Sequence, residues 1–250
     1  MLLIKKYLLL IIFSLVVILS CDNDDVSDIP KDELELIAIY NIDVLEPSGL
    51  AINNSGNTLY TVSDNTAQVF KLSTKGEVIQ TFNYVGQDLE GVSTFKDNKL
   101  LLAEERTKEI VEFDMQTGIY SKHEIDYDNN SSNSGMEGIT YNINDNSIYI
   151  LNEKDPGKLI KLRLDYTVMA EYDLNFASDY SGIYYENSTN NLWILSDQYS
   201  TLNKCTLTGD LIESYPVRIT QPEGVAIGNE KVYIISDAEE KLYIYNKPQN

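Results

Sequence analysis

The chain has 250 residues, with 19 basic and 39 acidic side chains and a net charge of −20. So large an acidic excess argues against nucleic acid and anionic lipid as direct partners and favours cationic ligands and metal ions. Residues 31–250 suffice for one domain with a substantial core, and no internal linker divides them.

The first twenty residues read as a targeting segment. Lys5 and Lys6 form a basic start, and the apolar run from Tyr7 to Leu19 is short for a membrane span. It ends Ile18-Leu19-Ser20-Cys21, which resembles a bacterial lipobox, in which the cysteine is lipidated and becomes the mature N-terminus. A plain secretory signal or an uncleaved anchor, with Cys21 incidental, are the alternatives. Removing Lys5 and Lys6 with the signal takes the net charge from −20 to −22. With Cys21 lipidated, Cys205 has no disulfide partner, so stability must come from packing. Residues 21–32 are polar and acidic without apolar periodicity and read as a flexible tether. An acidic run directly after a lipidated cysteine also resembles surface-export signals of some Gram-negative lipoproteins. The expected location is the Gram-negative envelope, lipid-anchored on the outer membrane, with exposure at the cell surface as the further option.

From residue 33 onward the chain repeats. Five openings, Glu46-Pro-Ser-Gly49, Asp88-Leu-Glu-Gly91, Gly135-Met-Glu-Gly138, Asp179-Tyr-Ser-Gly182 and Gln221-Pro-Glu-Gly224, each start an apolar strand. Their glycines are 42, 47, 44 and 42 residues apart. A carboxylate closes each following strand, at Asp64, Glu105, Glu153, Asp197 and Asp237. Each repeat contains four strand-like pieces, except the last, which ends after three. A period in the forties built of short strands marks propeller blades. The orphan strand Leu34–Tyr40 can supply the missing piece by pairing on the outside of the last blade, which closes the ring. The expectation is therefore an all-β, five-bladed propeller over 33–250. Six blades would need about forty more residues.

In a propeller, openings and closings share one face near the central channel. Glu46, Asp88, Glu90, Glu137, Asp179 and Glu223 would meet Asp64, Glu105, Glu153, Asp197 and Asp237 there. The opening acid stands one or three residues before glycine, positions that an extended strand turns to the same side. Crowded like charges raise one another's pKa or recruit a cation, and hard oxygen ligands suit Ca²⁺ better than Mg²⁺. The candidate metal ligands are Glu90, Glu137, Glu223, Glu46, Asp179, Asp64, Glu105, Glu153, Asp197 and Asp237. Acids acting as turn caps and rim residues are the alternative.

The Glu-Gly-(Val/Ile) openings at Leu89–Val92, Met136–Ile139 and Pro222–Val225, with Tyr60–Asp64 and Ile148–Glu153, resemble the SdiA-regulated domain family of bacterial envelope propellers. The resemblance spans roughly residues 33 to 246. It implies a propeller, calcium-associated and exported or envelope-anchored, and it supplies no activity. Ser48 and Ser181 depart from the pattern, which weakens a metal role for their blades.

Two functions compete. One is a monomeric, non-catalytic module on a lipid anchor that binds a small-molecule or protein ligand. The other is a calcium-dependent hydrolase of lactones, esters or phosphoesters. No histidine belongs to the acidic motifs. His123 lies in an outer strand, where it reads as a solvated β residue, so an Asp or Glu would have to serve as base. Arg106 and Lys154 beside eleven acids make no phosphate cradle, and no nucleophile elbow, zinc motif or P-loop is present.

Overall fold

The computed structural model describes residues 33–127 and 135–248. Cys21, the apolar run and the acidic tether lie outside the described residues.

The repeat unit folds as an antiparallel sheet because its strands alternate with turns rich in Asn, Asp and Gly. Blade 1 contains β2 (Pro47–Ile52), β3 (Thr58–Ser63), β4 (Gln68–Ser73) and β5 (Val78–Val85). Blade 2 contains β6 (Leu89–Thr94), β7 (Lys99–Glu104), β8 (Glu109–Asp114) and β9 (Tyr120–Glu124). Blade 3 runs through β10 (Met136–Asn142), β11 (Ser147–Asn152), β12 (Lys158–Leu162) and β13 (Val168–Asp173). Blade 4 runs through β14 (Gly182–Glu186), β15 (Asn191–Ser196), β16 (Thr201–Cys205) and β17 (Leu211–Pro216). Blade 5 takes β18 (Pro222–Gly228), β19 (Lys231–Ser236) and β20 (Lys241–Asn246), and its outer strand is β1 (Leu36–Asn41) from the start of the domain.

The closure matches the expectation. β1 pairs antiparallel with β20, from Leu36 opposite Tyr245 to Asn41 opposite Lys241. The pairing covers β20's outer edge with a strand that is itself uncharged, and it ties the two ends of the domain together.

The second strand of each blade is buried almost throughout, as in β7, β11, β15 and β19, because both its faces pack against neighbouring blades. Each Leu or Ile so buried contributes about 1.5–3 kcal/mol. The apolar clusters lie in the seams between blades. Ala51, Tyr60, Val62 and Phe82 of blade 1 pack with Val92, Leu100 and Phe113 of blade 2.

The repeating glycines are explained by how closely the innermost strands approach. A Cβ on Gly49 would meet Gly91 Cα at 2.9 Å, and one on Gly91 would meet Gly138 Cα at 3.1 Å. One on Gly138 would meet Ile183 N at 3.3 Å, one on Gly182 would meet Glu223 O at 2.5 Å, and one on Gly224 would meet Gly49 C at 2.6 Å. The five contacts return to their start and form a closed ring of backbone around the channel. Hydroxyls strengthen several steps of it; among them, Tyr141 N donates to Ser93 Oγ at 3.0 Å and Tyr185 N to Thr140 Oγ1 at 2.9 Å.

Gly224→Ala puts a methyl group against backbone that cannot swing away, so it should cost about 1–3 kcal/mol, toward the upper end. Gly118→Ala, where nothing lies within 4 Å and φ is +73°, should cost only the left-handed strain of about 1 kcal/mol. Urea denaturation of both variants compares them directly.

Candidate functional site: a carboxylate-lined channel mouth

The motif Xaa-Glu-Gly is a β-bulge. In blade 2, Leu89 pairs with Glu104 and Gly91 with Ala103, which leaves Glu90 without an opposite residue. Glu137 and Glu223 are skipped in the same way, between Met136 and Gly138 and between Pro222 and Gly224. A bulge bends the strand and re-aims the extra side chain. Here it aims the glutamate into the channel, just before the glycine that sits against the next blade.

The residue three positions before the glycine is not in the strand. Glu46, Asp88 and Gln221 have φ of +42°, +58° and +45°. The shared side expected from the two-residue strand period is therefore replaced by a bulge and a left-handed turn. The turn has its own task, since its carbonyl holds the closing acid. Asp64 N donates to Glu46 O at 3.0 Å, Glu105 N to Asp88 O at 3.0 Å, Glu153 N to Gly135 O at 3.1 Å and Asp237 N to Gln221 O at 3.0 Å. In blade 4 a side chain takes over, and Asp197 N donates to Asp179 Oδ2 at 3.0 Å.

The convergence is tightest between blades 1 and 2. One carboxylate oxygen from each of Asp64, Asp88 and Glu90 lies within 4.8 Å of the others. Beyond the effect of burial, Asp88 raises Asp64, and the Ser48 hydroxyl of blade 1 acts the opposite way on Glu90. Across the next seam the charge of Glu105 of blade 2 adds to burial and to Glu90 in raising Glu137 of blade 3. Arg106 clamps Asp88 from outside, with Nε and Nη2 each 3.1 Å from one of its oxygens. Lys154 pairs with Glu153.

The electrostatics record the same crowding. Burial, and then the charge of Asp64, push Glu90 well above the ordinary carboxylate range. Glu137 is pushed well up by burial and then by Glu90, and Glu223 by burial and then by Glu90 and Asp197. Burial comes first for Asp64, Glu105, Asp197 and Asp237 as well, followed by neighbouring acids. The three glutamates keep some contact with solvent, yet protein surrounds them closely enough that water screens them poorly. Asp237 Oδ1 is buried with no hydrogen-bond donor.

The sequence-derived candidates do not behave alike. Glu90, Glu137, Glu223, Asp64, Glu105, Asp197 and Asp237 form the mutually raised set, and Glu46, Glu153 and Asp179 are among the charges that raise it. Asp179 is committed locally, since it is buried and accepts from Ser196 Oγ at 2.6 Å as well as from the backbone N–H groups of Asp197 and Gln198. Asp88 stands outside the ten candidate ligands, yet it belongs to the tightest cluster. Ser181 donates to Pro222 O at 2.6 Å and so joins blades 4 and 5.

One residue was not singled out in the sequence, and another has a partner that the sequence did not show. Glu104, next to Glu105, is fully buried and points the other way, accepting from Tyr84 Oη at 2.7 Å and Gln87 N at 3.0 Å and pairing with Lys122. Strand alternation between neighbours was the signal for that separation. His123 is a half-exposed residue of β9, as read from the sequence, and it has a partner the sequence did not announce. It stacks on Tyr166 at 3.8 Å between ring centres, and Tyr166 Oη donates to Glu112 of blade 2 at 2.6 Å. Tyr166 holds φ +67° in the outer turn of blade 3, as Gly76, Gly118 and Gly209 do in other outer turns, so the ring is kept at a conformational cost. Cys205 is buried, its thiol is pushed up by that burial, and it is not a nucleophile.

Fold and site define a five-bladed propeller with a carboxylate-lined channel mouth. The SdiA-regulated family profile matches residues 33–244, and the chain belongs to that family. Among solved structures, the Myxococcus xanthus glutaminyl cyclase is similar with a TM-score of 0.66 at 10% identity, over 88% of this chain and 100% of that one. A streptogramin B lyase gives 0.52 at 21% identity, over 85% and 73%. A chain of a nidogen/laminin complex gives 0.57 at 14%, over 80% and 76%. At these identities the likeness is one of fold.

Raised carboxyls bind protons in the folded state that the unfolded chain has already lost. The mouth therefore lowers stability as pH climbs from the unfolded value, about 4.3 for Glu, through the raised folded values. Glu104 and Glu186 act oppositely. Burial raises both, but hydrogen bonds from Lys122 and Lys247 outweigh it and hold them low, so their stabilisation is lost as pH falls. Without divalent cations, urea midpoints should peak in mild acid and fall toward pH 8, and Glu137→Gln should flatten the alkaline side.

Proposed function

We propose that this protein is an envelope-anchored binding module whose channel mouth holds a divalent cation and presents it to a small-molecule or protein ligand. The observation that carries the proposal is the trio Asp64, Asp88 and Glu90, from two blades, with carboxylate oxygens within 4.8 Å of one another. An all-oxygen donor set of this charge fits Ca²⁺, which accepts six to eight oxygens in flexible geometry. The shielded Oδ1 of Asp237 is a further acceptor without a donor. Bound there, the ion would offset the repulsion among the acids and supply a Lewis-acidic position for a ligand oxygen. Asp64, Asp88 and Glu90 would hold it, and Arg106 would have to share or release Asp88. The anchor in this proposal is lipidated Cys21 on the outer membrane of a Gram-negative cell, with the propeller monomeric.

A calcium-dependent hydrolase of lactones, esters or phosphoesters is the second reading, favoured by one observation. Carboxyls raised well above their ordinary range by burial and neighbouring acids, as at Glu90 and Glu137, are of the kind that proton transfer uses. Against it stands the placement of His123, the chain's single histidine, at the outer seam between blades 2 and 3. One structural neighbour is a virginiamycin B lyase from Staphylococcus aureus whose histidine-to-alanine variant is catalytically inactive.

Millimolar Ca²⁺ should raise the melting temperature at pH 7.5 and give a saturable calorimetric heat. At a hundred times Kd the gain is about 2.7 kcal/mol. Glu90→Gln should weaken binding at least about tenfold, the equivalent of 1.4 kcal/mol, while Glu171→Gln on the outer strand of blade 3 should not. No heat and no shift in the unsubstituted protein rejects the cation site. Turnover of a lactone, aryl ester or phosphomonoester that a chelator abolishes would select the hydrolase.

A further inference from the structure

We infer that the outer edges of blades 5 and 1 form a membrane-contacting rim, an inference that rests on the Cys21 anchor proposed above. Leu36, Ile37 and Ile39 on β1 and Val78 and Ile79 on β5 are each between 37% and 55% exposed. The two strands flank the last seam of the ring, β1 on blade 5 and β5 on blade 1. The turn leading into β5 touches the end of β1, where a Cβ on Gly76 would meet Ile42 Cγ2 at 2.6 Å and Tyr40 Cβ at 3.6 Å. Val78 follows that glycine by two residues; Ala38 and Tyr40 pack into the seam, and Ile37 and Ile39 stand on the opposite, exposed face of β1.

These strands also differ from the other outer edges in charge. β1 reads LIAIYN and β5 VIQTFNYV, with no ionisable acid or base other than tyrosine. β9 carries Lys122 and Glu124, β13 carries Glu171 and Asp173, and β17 carries Glu213. Uncharged aliphatic edges are a liability in water, and charges on edge strands are a common protection. On a chain with 39 acidic residues, two outer strands with no acid between their ends are a specific departure, the nearest acids being Glu35 and Glu77 just before them.

The occupant is indicated by where the preceding chain enters. Leu34 is buried with Trp193, Tyr215 and Tyr243 in the seam of blades 4 and 5, and Glu33 pairs with Arg218. The root of the N-terminal segment is thus fixed two residues before Leu36. Only residues 22–32 separate it from Cys21, and eleven residues span about 40 Å at most. A lipid on Cys21 therefore holds the bilayer within reach of this rim. Aliphatic side chains enter the headgroup boundary of a zwitterionic bilayer, which does not repel the acidic domain as an anionic one would. The disc would then stand on its edge, and the channel mouth would open sideways into solution.

The lipid-modified full-length protein in phosphatidylcholine vesicles with brominated acyl chains tests this. Flotation with the vesicles, lost in Cys21→Ser, reads the anchor. Emission from Ile37→Trp, with Ile79→Trp as a second probe, reads the rim, and Ile143→Trp in the inner turn of blade 3 is the control. Trp193 is buried and gives a constant background. Expected are a blue shift and loss of emission for the two rim probes on vesicles and no change for the control. A floating protein whose rim probes behave like the control overturns the rim and leaves the anchor. Failure to float overturns both. A blue shift that follows protein concentration without vesicles, with a dimer dispersed by Ile39→Glu, assigns the rim to a second copy and overturns the membrane contact.

Discussion

The closed contact of five innermost strands governs the rest of this molecule. Each strand passes the next at a distance that leaves no room for a Cβ, so glycine recurs at Gly49, Gly91, Gly138, Gly182 and Gly224. A channel this narrow brings the residues beside each glycine toward a common axis whatever their separation in sequence. The bulge before Gly91, Gly138 and Gly224 then decides which side chain enters the channel. Fold and site are therefore one arrangement here.

That arrangement carries a cost, and the structure shows where it is offset. The mouth gathers carboxyls that raise one another, which opposes folding at neutral pH. The seams between blades supply the compensating burial, with Leu, Ile, Val and aromatic side chains fully enclosed between second strands. Buried Glu104 and Glu186 add charge-assisted networks of the opposite kind, each matched by a lysine and further donors. An acid with donors around it steadies its blade, whereas an acid facing other acids remains available for a cation. The difference lies in the partners, because both kinds are shielded from water.

Much of this was legible in the sequence because a repeat reports its own geometry. The period of the glycines gave the blade count, and the unpartnered strand before the first repeat gave the closure. The convergence of openings and closings followed from the topology alone. The bulge was not legible, because Glu-Gly in an apolar strand has no distinctive turn chemistry, and the extra residue appears only when the two strands are aligned. Strand alternation separates Glu104 from Glu105, but which face of β7 meets blade 1 was not legible. Asp179 looked like its counterparts in motif position, but it takes over a backbone carbonyl's task in holding Asp197. The His123–Tyr166 stack joins residues 43 positions apart on different blades, and no local pattern announces it.

The same local differences make the mouth asymmetric. In blade 4 the opening acid is consumed by capping and Ser181 serves a seam. In blade 1 Ser48 brings no charge, and its hydroxyl acts to lower Glu90 of the neighbouring blade. Glu90 thus has a hydroxyl on one side and Asp88 on its own blade, with Asp64 completing the approach. A fivefold-regular ring of acids would spread its charge evenly and have no preferred position for an ion. Replacing the bulged glutamate by serine in two blades breaks that regularity and leaves the densest oxygen cluster at the seam of blades 1 and 2. The departures from the repeat, as much as the repeat itself, give the channel mouth a site off its axis.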